Sequence, residues 1–327
     1  MAGKSNILVT GGAGYIGSHA CKVLSGAGYV PVTYDNLSLG HRDAVKYGPF
    51  VEGDLSDGER LRAVLSEYEV GAVVHFAANA YVGESVENPR KYFRNNVVNS
   101  LNLLEAMVDA DVKHLVYSST CAIYGMPDKV PIPEEHSQNP VSPYGESKRI
   151  VENMVRWFCE AYGLSCVALR YFNAAGADMD GDIGESHVPE THLIPIVIET
   201  ALGKRTQMEI YGSDYSTRDG TAVRDYVHVT DLASAHLKAL EYLIDGGSSD
   251  AFNLGTGQGR TVREIIQAVE NVCGRTVPSK EGERRPGDAV ELVADARRAK
   301  EILGWQPLFS ELEQIVASAW KWHSKSD

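Results

Sequence analysis

Tyr144 and Lys148 are the two side chains of this sequence best placed to exchange a proton with a ligand. They stand four residues apart in a stretch that begins at Pro143, and proline suits the first turn of a helix, so both should share one helical face. A free phenol has a pKa of about 10 and is a poor base near neutrality. A neighbouring ammonium group favours the phenolate and lowers that pKa. The spacing also occurs by chance in many helices, so its surroundings decide the interpretation.

Three hydroxyl side chains end the strand predicted just before this helix, in the run Leu115 to Thr120. Thr120, or Ser118 or Ser119, could hydrogen-bond a reacting hydroxyl group and relay its proton. The sequence leaves the choice among the three open.

A glycine-rich turn opens the chain, in the run Asn6 to Gly17 that reads N-I-L-V-T-G-G-A-G-Y-I-G. It has the order of strand, tight turn and helix, and it contains the spacing G-x-G-x-x-G. Glycines there permit a left-handed turn, the approach of a pyrophosphate to the backbone and close packing of helix on strand. A diphosphate would lie on the free N–H groups at the helix N-terminus. An ordinary turn is the alternative when the glycines are considered alone.

Asp35 supports the ligand site, because it ends a second β-rich run, Tyr29 to Tyr34, about one helix length later. A carboxylate there can accept a hydrogen bond from a ribose 2′-hydroxyl and would repel a 2′-phosphate. NAD is therefore predicted rather than NADP. The positive nicotinamide ring of NAD would join Lys148 in lowering the pKa of Tyr144.

The elements that must position these residues alternate between apolar strands and helices up to about residue 172. The apolar runs, such as Ala72 to Phe76, are nearly continuous, as in parallel strands covered on both faces. We therefore predict an α/β fold with a doubly wound parallel sheet of the Rossmann type. Residues 1–172 would form the NAD-binding domain. Residues 173–327 would form a smaller substrate-binding region, some of whose strands and helices return to the first domain.

The composition excludes several other classes of protein. The 44 acidic against 31 basic residues give a net charge of -13, which argues against non-specific nucleic-acid binding. The five cysteines are scattered and predict reduced thiols in a cytoplasmic protein. The uncharged run 70–83 is too short to span a membrane. The ten histidines show no paired ligand spacing, so no metal site is predicted.

Taken together, the motifs resemble the extended short-chain dehydrogenases, and within them the UDP-glucose (UDP-galactose) 4-epimerases. The similarity covers essentially the whole chain and rests on T-G-G-A-G-Y-I-G, S-S-T-x-x-x-Y-G, Y-x-x-x-K, R-Y-F-N, R-D-Y-x-H-V and R-R-x-G-D in this order. It implies an isomerase with tightly bound NAD, in which Tyr144 takes the proton of the sugar 4-hydroxyl while hydride passes reversibly to NAD. It also implies a homodimer built on paired helices, with 92–110 and 143–162 as the candidates.

The resemblance assigns the site residues in two sets. Those that would line the NAD site are Gly11, Gly14, Tyr15, Ile16, Asp35, Asn36, Asp54, Leu55, Phe76, Asn95, Tyr144 and Lys148. Those that would hold the UDP-sugar are Thr120, Asn173, Leu193, Tyr211, Arg224, Arg285 and Asp288. Two arginines suit a diphosphate. The alternative for them is a surface ion pair with Asp225 or Asp288.

Three alternatives to a hexose epimerase follow from the same resemblance. A nucleotide-sugar dehydratase would carry Asp-Glu after Thr120, whereas this chain has Cys121 and Ala122. A UDP-xylose/UDP-arabinose 4-epimerase would use identical chemistry, and the sequence does not separate it. A non-catalytic NAD-binding protein would be expected to lose Tyr144 or Lys148. The chain also departs from some relatives at Ala80 and His192, and Leu292 lies near a position that limits the bulk of the sugar C2 group.

Overall fold

The computed structural model describes residues 5–285 and 287–325. Its strands are β1 (Asn6–Thr10), β2 (Val30–Asp35), β3 (Phe50–Glu52), β4 (Val70–His75), β5 (His114–Thr120), β6 (Ser165–Tyr171), β7 (Asn173–Ala175), β8 (Met208–Tyr211), β9 (Val223–His228), β10 (Asp250–Leu254), β11 (Gly259–Thr261), β12 (Ser279–Gly282) and β13 (Glu291–Leu292).

Its α-helices are α1 (Tyr15–Gly26), α2 (Gly58–Glu67), α3 (Val82–Glu87), α4 (Pro89–Tyr92), α5 (Asn99–Asp109), α6 (Pro143–Tyr162), α7 (Leu193–Ala201), α8 (Val229–Ile244), α9 (Val262–Cys273), α10 (Arg297–Leu303) and α11 (Leu312–His323). In the described part of the chain, no helix is both long enough and apolar enough to cross a membrane.

Seven parallel strands form the central sheet, in the order β10-β6-β5-β4-β1-β2-β3. The chain moves outward from β1 in one direction through β2 and β3, then crosses back to β4 on the other side. Neighbouring loops part at such a reversal and leave a crevice at the carboxyl ends of the strands. The predicted doubly wound α/β fold is confirmed.

The two faces of the sheet are covered by different helices. Leu8 and Val73 point to one face, where α2, α5 and α6 pack, while Ile7, Val9 and Val74 point to the other, where α1, α8 and α10 pack. Consecutive residues of a strand are thus buried on opposite faces of the sheet, which explains why the apolar runs in the sequence are unbroken.

The second half of the chain contributes to both regions. Strand β10 pairs with β6 at one edge of the central sheet, and α8 covers one of its faces. The remaining strands form two small sheets, and α7, α9 and α11 pack around a core of their own.

One predicted helix is interrupted. The sequence predicts a single helix from about residue 92 to 110, but Phe93–Val98 forms a π-helix between α4 and α5. The buried Asn96 side chain lies in that segment, donates to Asn79 O and Ser147 Oγ at 3.0 Å each, and accepts from Asn79 N. Those three bonds fix its position, and π-helical turns are frequent at functional sites.

Candidate active site

Helix α6 presents Tyr144 and Lys148 to the carboxyl end of β5, and both residues are buried. The helix begins as predicted at Pro143, where the Ser142 side chain caps it by accepting from Gly145 N at 3.1 Å. Pro143 suits the first turn because its missing N–H would be unpaired there in any case.

The three hydroxyls at the end of β5 have different partners. Thr120 lies close enough to the Tyr144 phenol to lower its pKa, and its Oγ1 accepts from Ala122 N at 3.1 Å. Ser118 pairs with the Tyr171 phenol at 2.8 Å, and Ser119 donates to Glu152 at 2.5 Å. Among the three, the structure therefore places Thr120 beside Tyr144.

In the protein without NAD the pKa of Tyr144 is raised, and its lowering by Lys148 together with the nicotinamide ring stays a prediction. Burial raises this pKa well above its usual range, the nearby Tyr171 phenol raises it further, and the hydrogen bond to Thr120 only partly opposes the rise. The spacing of Tyr144 and Lys148 could be read from the sequence, but the depth at which they are buried could not. Without a further cation, Tyr144 is a neutral phenol that can donate a proton.

Lys148 is held apart from that phenol by a bond to the backbone. Its ammonium donates to Ser118 O at 2.8 Å and lies 5.0 Å from the centre of the Tyr117 ring. Burial lowers the pKa of Lys148 to about 7, against a smaller opposing effect from Glu152. Lys148 can therefore gain or lose its proton near neutral pH, and a nearby anion would stabilise its protonated form.

The glycine turn between β1 and α1 carries no side chains, so a ligand can approach the protein backbone closely there. Gly11 has φ +74°, and a Cβ there would lie 2.6 Å from Ala77 N. A Cβ on Gly17 would lie 2.2 Å from Gly11 O, so the helix can approach the turn only with glycine at this position. Gly14 is the N-cap of α1, and neither a capping side chain nor an acidic first-turn residue occupies that end. The helix N-terminus is therefore free to bind a diphosphate.

Three further predicted cofactor residues meet at the ends of β2 and β3. The Asp35 carboxylate accepts from Ala13 N and Leu37 N at 3.0 and 2.9 Å, and burial raises its pKa. An ionised carboxylate has about four acceptor sites, so acceptor capacity remains for a ribose hydroxyl. Asn36 donates to the Asp54 carboxylate at 2.6 Å, which joins the two loops.

The remaining predicted cofactor residues lie at the same edge of the sheet. Phe76 follows β4, Leu55 follows β3 and is buried, and Asn95 lies in the π-helix and donates to Asn96. Tyr15 and Ile16 begin α1, and the Tyr15 phenol donates to Gly176 O at 2.5 Å. Sequence reasoning missed Asn96, whose buried network holds this region to α6. The only signal for it was its place beside Asn95.

Four of the seven residues predicted for the UDP-sugar form two pairs. Arg224 on β9 is ion-paired with Asp288, and the Arg285 guanidinium lies 3.9 Å from the centre of the Tyr211 ring. The ion pair that the sequence analysis gave as the alternative is thus present for Arg224. Pro286, inside the R-R-x-G-D motif, lies outside the described residues.

Arg224 lies near the carboxyl end of β5. Arg224 lies close enough to Cys121, the residue after Thr120, to lower its thiol pKa against the larger effect of burial. Leu292 pairs with Arg224 across β13 and β9. Asn173 starts β7, directly after β6, and Leu193 is the first residue of α7. Asp225, the other carboxylate named as a possible partner of Arg224, has a buried side chain that accepts hydrogen bonds from Thr256, Gly257 and Ala294 instead.

A buried ion pair behind the site was also missed. Arg170 donates to Glu152 at 2.6 Å, and the two side chains are 7% and 10% exposed. Arg170 donates further to the Tyr124 phenol and Glu134 O, each at 3.0 Å. Arg170 stood in a recognised motif, R-Y-F-N, but its partner on α6 is 18 residues away and no spacing rule links them.

The comparison with known families agrees with this geometry. A model described as the NAD dependent epimerase/dehydratase family matches residues 7–255. The chain belongs to this family.

Relatives within the NAD dependent epimerase/dehydratase family match over nearly the full length. A UDP-glucose 4-epimerase of Rhizobium meliloti (strain 1021) is 52% identical over 322 residues, 98% of each chain. A crystal structure of the Brucella ovis UDP-glucose 4-epimerase in complex with NAD is 52% identical, with a TM-score of 0.95 over 97% of each chain. The Stenotrophomonas maltophila UDP-glucose-4-epimerase, with bound NAD and formylated UDP-arabinopyranose, is 41% identical, with a TM-score of 0.95 over 98% of each chain.

Proposed function

We propose that this chain is a UDP-glucose 4-epimerase, which interconverts UDP-galactose and UDP-glucose. The observation that carries the proposal is the position of the buried Tyr144 side chain beside Thr120 at the carboxyl end of β5. It places a proton donor and a second hydroxyl together in the crevice where doubly wound sheets bind ligands. Full-length relatives of this name, about half identical in sequence, support the same reaction.

NAD fits the cofactor site, because the turn at Gly11 and Gly17 has no room for a Cβ and the α1 N-terminus lacks a side-chain cap. When bound, NAD supplies reversible hydride transfer at the sugar C4. The residues that hold it are Gly11, Gly14, Tyr15, Ile16, Asp35, Asn36, Asp54, Leu55, Phe76, Asn95, Tyr144 and Lys148.

Tyr144 exchanges the proton of the sugar 4-hydroxyl, and Thr120 orients that hydroxyl by hydrogen bonding. The protein raises the pKa of the phenol, so a cation must be present before Tyr144 can act as a base. Lys148, when protonated, supplies one charge from the next turn of α6.

Residues 173–327 supply most contacts to UDP in this proposal. Arg224 and Arg285 bind the diphosphate, and Asp288 holds Arg224 in place through their ion pair. Asn173, Leu193 and Tyr211 complete the site. Guanidinium groups suit this role because their planar N–H donors match phosphate oxygens.

The test incubates the purified protein, without added NAD, with UDP-galactose and, in a separate reaction, with UDP-xylose. The products are resolved by NMR. We expect UDP-galactose to yield UDP-glucose, because the cofactor stays bound and is regenerated in each cycle. Turnover of UDP-xylose alone would keep the chemistry and move the substrate to pentoses. No turnover of either sugar, with NAD shown to be present, would contradict the epimerase proposal.

We also propose that the chain forms a homodimer through α5 and α6. Trp157 and Tyr162 on α6 are 58% and 52% exposed, and Val98, the last residue of the π-helix before α5, is 50% exposed, so these helices offer apolar area to a second copy. Sedimentation should give about twice the chain mass of 35.6 kDa, and a monomer at micromolar concentration would contradict the dimer.

The five free thiols support the cytoplasm as the compartment of this protein, which cell fractionation tests.

A further inference from the structure

Four side chains of the segment 185–192 converge on one point outside the catalytic set. One ligand atom from each of Glu185, His187, Glu190 and His192 lies within 4.8 Å of the others. The two imidazole Nδ1 atoms stand 3.0 and 2.7 Å from the same Glu185 oxygen, and His192 Nδ1 is 3.0 Å from Glu190. His187 Nδ1 is 4.0 Å from the other Glu190 oxygen.

These separations bracket the spacing of a four-coordinate metal site. Ligands about 2.0–2.1 Å from a tetrahedral Zn²⁺ lie roughly 3.4 Å from one another. The observed values, from 2.7 to 4.0 Å, lie on both sides of that distance. All four ligand atoms lie within 4.8 Å of one another, so one ion can lie among them after the side chains adjust.

The charges call for a cation at this point. Both carboxylates are buried, with side chains 4% exposed, and in the described residues no lysine or arginine forms a salt bridge with either one. With both imidazoles neutral the four side chains carry a charge of -2, which one divalent ion would neutralise in place of the imidazole protons that now pair with the carboxylates. His192 is 41% exposed, so an ion can reach the cluster from solvent.

We infer that Glu185, His187, Glu190 and His192 bind one divalent transition-metal ion of the Zn²⁺ type. Two imidazoles favour such an ion over Ca²⁺ or Mg²⁺, which prefer oxygen ligands. The spacing of the histidines alone predicts no metal site. The missed signal was the alternation of carboxylate and imidazole in E-S-H-V-P-E-T-H.

The position of the cluster indicates a structural role. His192 is the N-cap of α7, and the His187 ring packs edge-on against Tyr15, with ring centres 6.3 Å apart. The backbone between the ligands is bonded to two other segments, since His41 hydrogen-bonds Ser186 O and Trp322 donates to Glu185 O. A metal ion here would fasten the start of α7 to the glycine turn. It takes no part in the proton exchange at Tyr144.

The test measures metal in the untagged protein after it has been loaded with Zn²⁺ and dialysed, by mass spectrometry of the element. We expect one equivalent per chain, and less than a tenth of that in His187→Gln. His136→Gln is the matched control, because His136 also pairs with a carboxylate, that of Asp128, but lies outside the cluster. It should keep the full equivalent.

A second measurement does not depend on the folding of a variant. Adding a chelator to the zinc-loaded wild-type protein should lower its Tm by several degrees, and restoring Zn²⁺ should reverse the change. Absence of retained zinc, or equal zinc in His187→Gln and wild type, would overturn the inference. Both readouts are independent of epimerase activity, so this proposal and the proposed function can fail separately.

Discussion

Replacing Tyr144 with phenylalanine is expected to lower kcat for UDP-galactose by about 10²–10⁴-fold. The substitution removes one oxygen and leaves the buried ring, so the fold should be preserved. It takes away the group that exchanges a proton with the sugar and the partner of Thr120. The measurement is steady-state turnover, together with the NAD content of the purified variant. Unchanged NAD content would show that the cofactor site has survived the change.

Tyr92→Phe is the matched control for that variant. Tyr92 packs edge-on against Tyr144 at 6.5 Å between ring centres, but its own phenol donates to Glu84, outside the crevice. This variant should retain turnover within a few-fold of wild type. Equal activity in Tyr144→Phe and wild type would remove Tyr144 from the mechanism.

Replacing Glu152 with alanine should reduce the free energy of unfolding by about 3–5 kcal/mol. Glu152 accepts from Arg170 and from Ser119, and both partners are buried. Its removal leaves the Arg170 cation in the interior without a carboxylate, which costs far more than the net contribution of the intact pair. Urea unfolding of the wild type and the variant measures the difference.

Glu160→Ala provides the comparison on the same helix. Glu160 pairs with Arg156 four residues earlier, at 3.2 Å, and its side chain is 53% exposed. Solvent screens that pair, so its loss should cost only about 0.3–0.5 kcal/mol. A similar small loss in Glu152→Ala would mean that water or another group compensates the charge of Arg170.

Much of the first region could be predicted because local pattern and fold agree there. The glycine turn, Asp35, the hydroxyl-tipped β5 and the start of α6 at Pro143 all follow from short-range rules, and the structure places them as expected. The parallel sheet follows from the alternation of elements, since crossover handedness restricts the possible topologies.

Features that depend on distant partners could not be predicted. The Arg170–Glu152 pair joins β6 to α6, and the buried environment that raises the pKa of Tyr144 is assembled from α6, β5 and β6. The π-helix around Asn96 arises from side-chain bonds to Asn79 and Ser147, which no helical periodicity encodes. In each case the decisive energy comes from tertiary contacts rather than from local propensity.

The return of β10 to the edge of β6 has a consequence for synthesis. The first six strands emerge from the ribosome before residues 250–254, so the β6 edge remains unpaired during that interval. The face later covered by α8 is also open, including Val9 and Val74. An exposed strand edge can pair with the strand of another chain, and an open apolar face can bind one, so both promote aggregation. Nascent chains of this protein should therefore depend on chaperones until the last third of the sequence has been made, and a fragment ending at residue 172 should be insoluble.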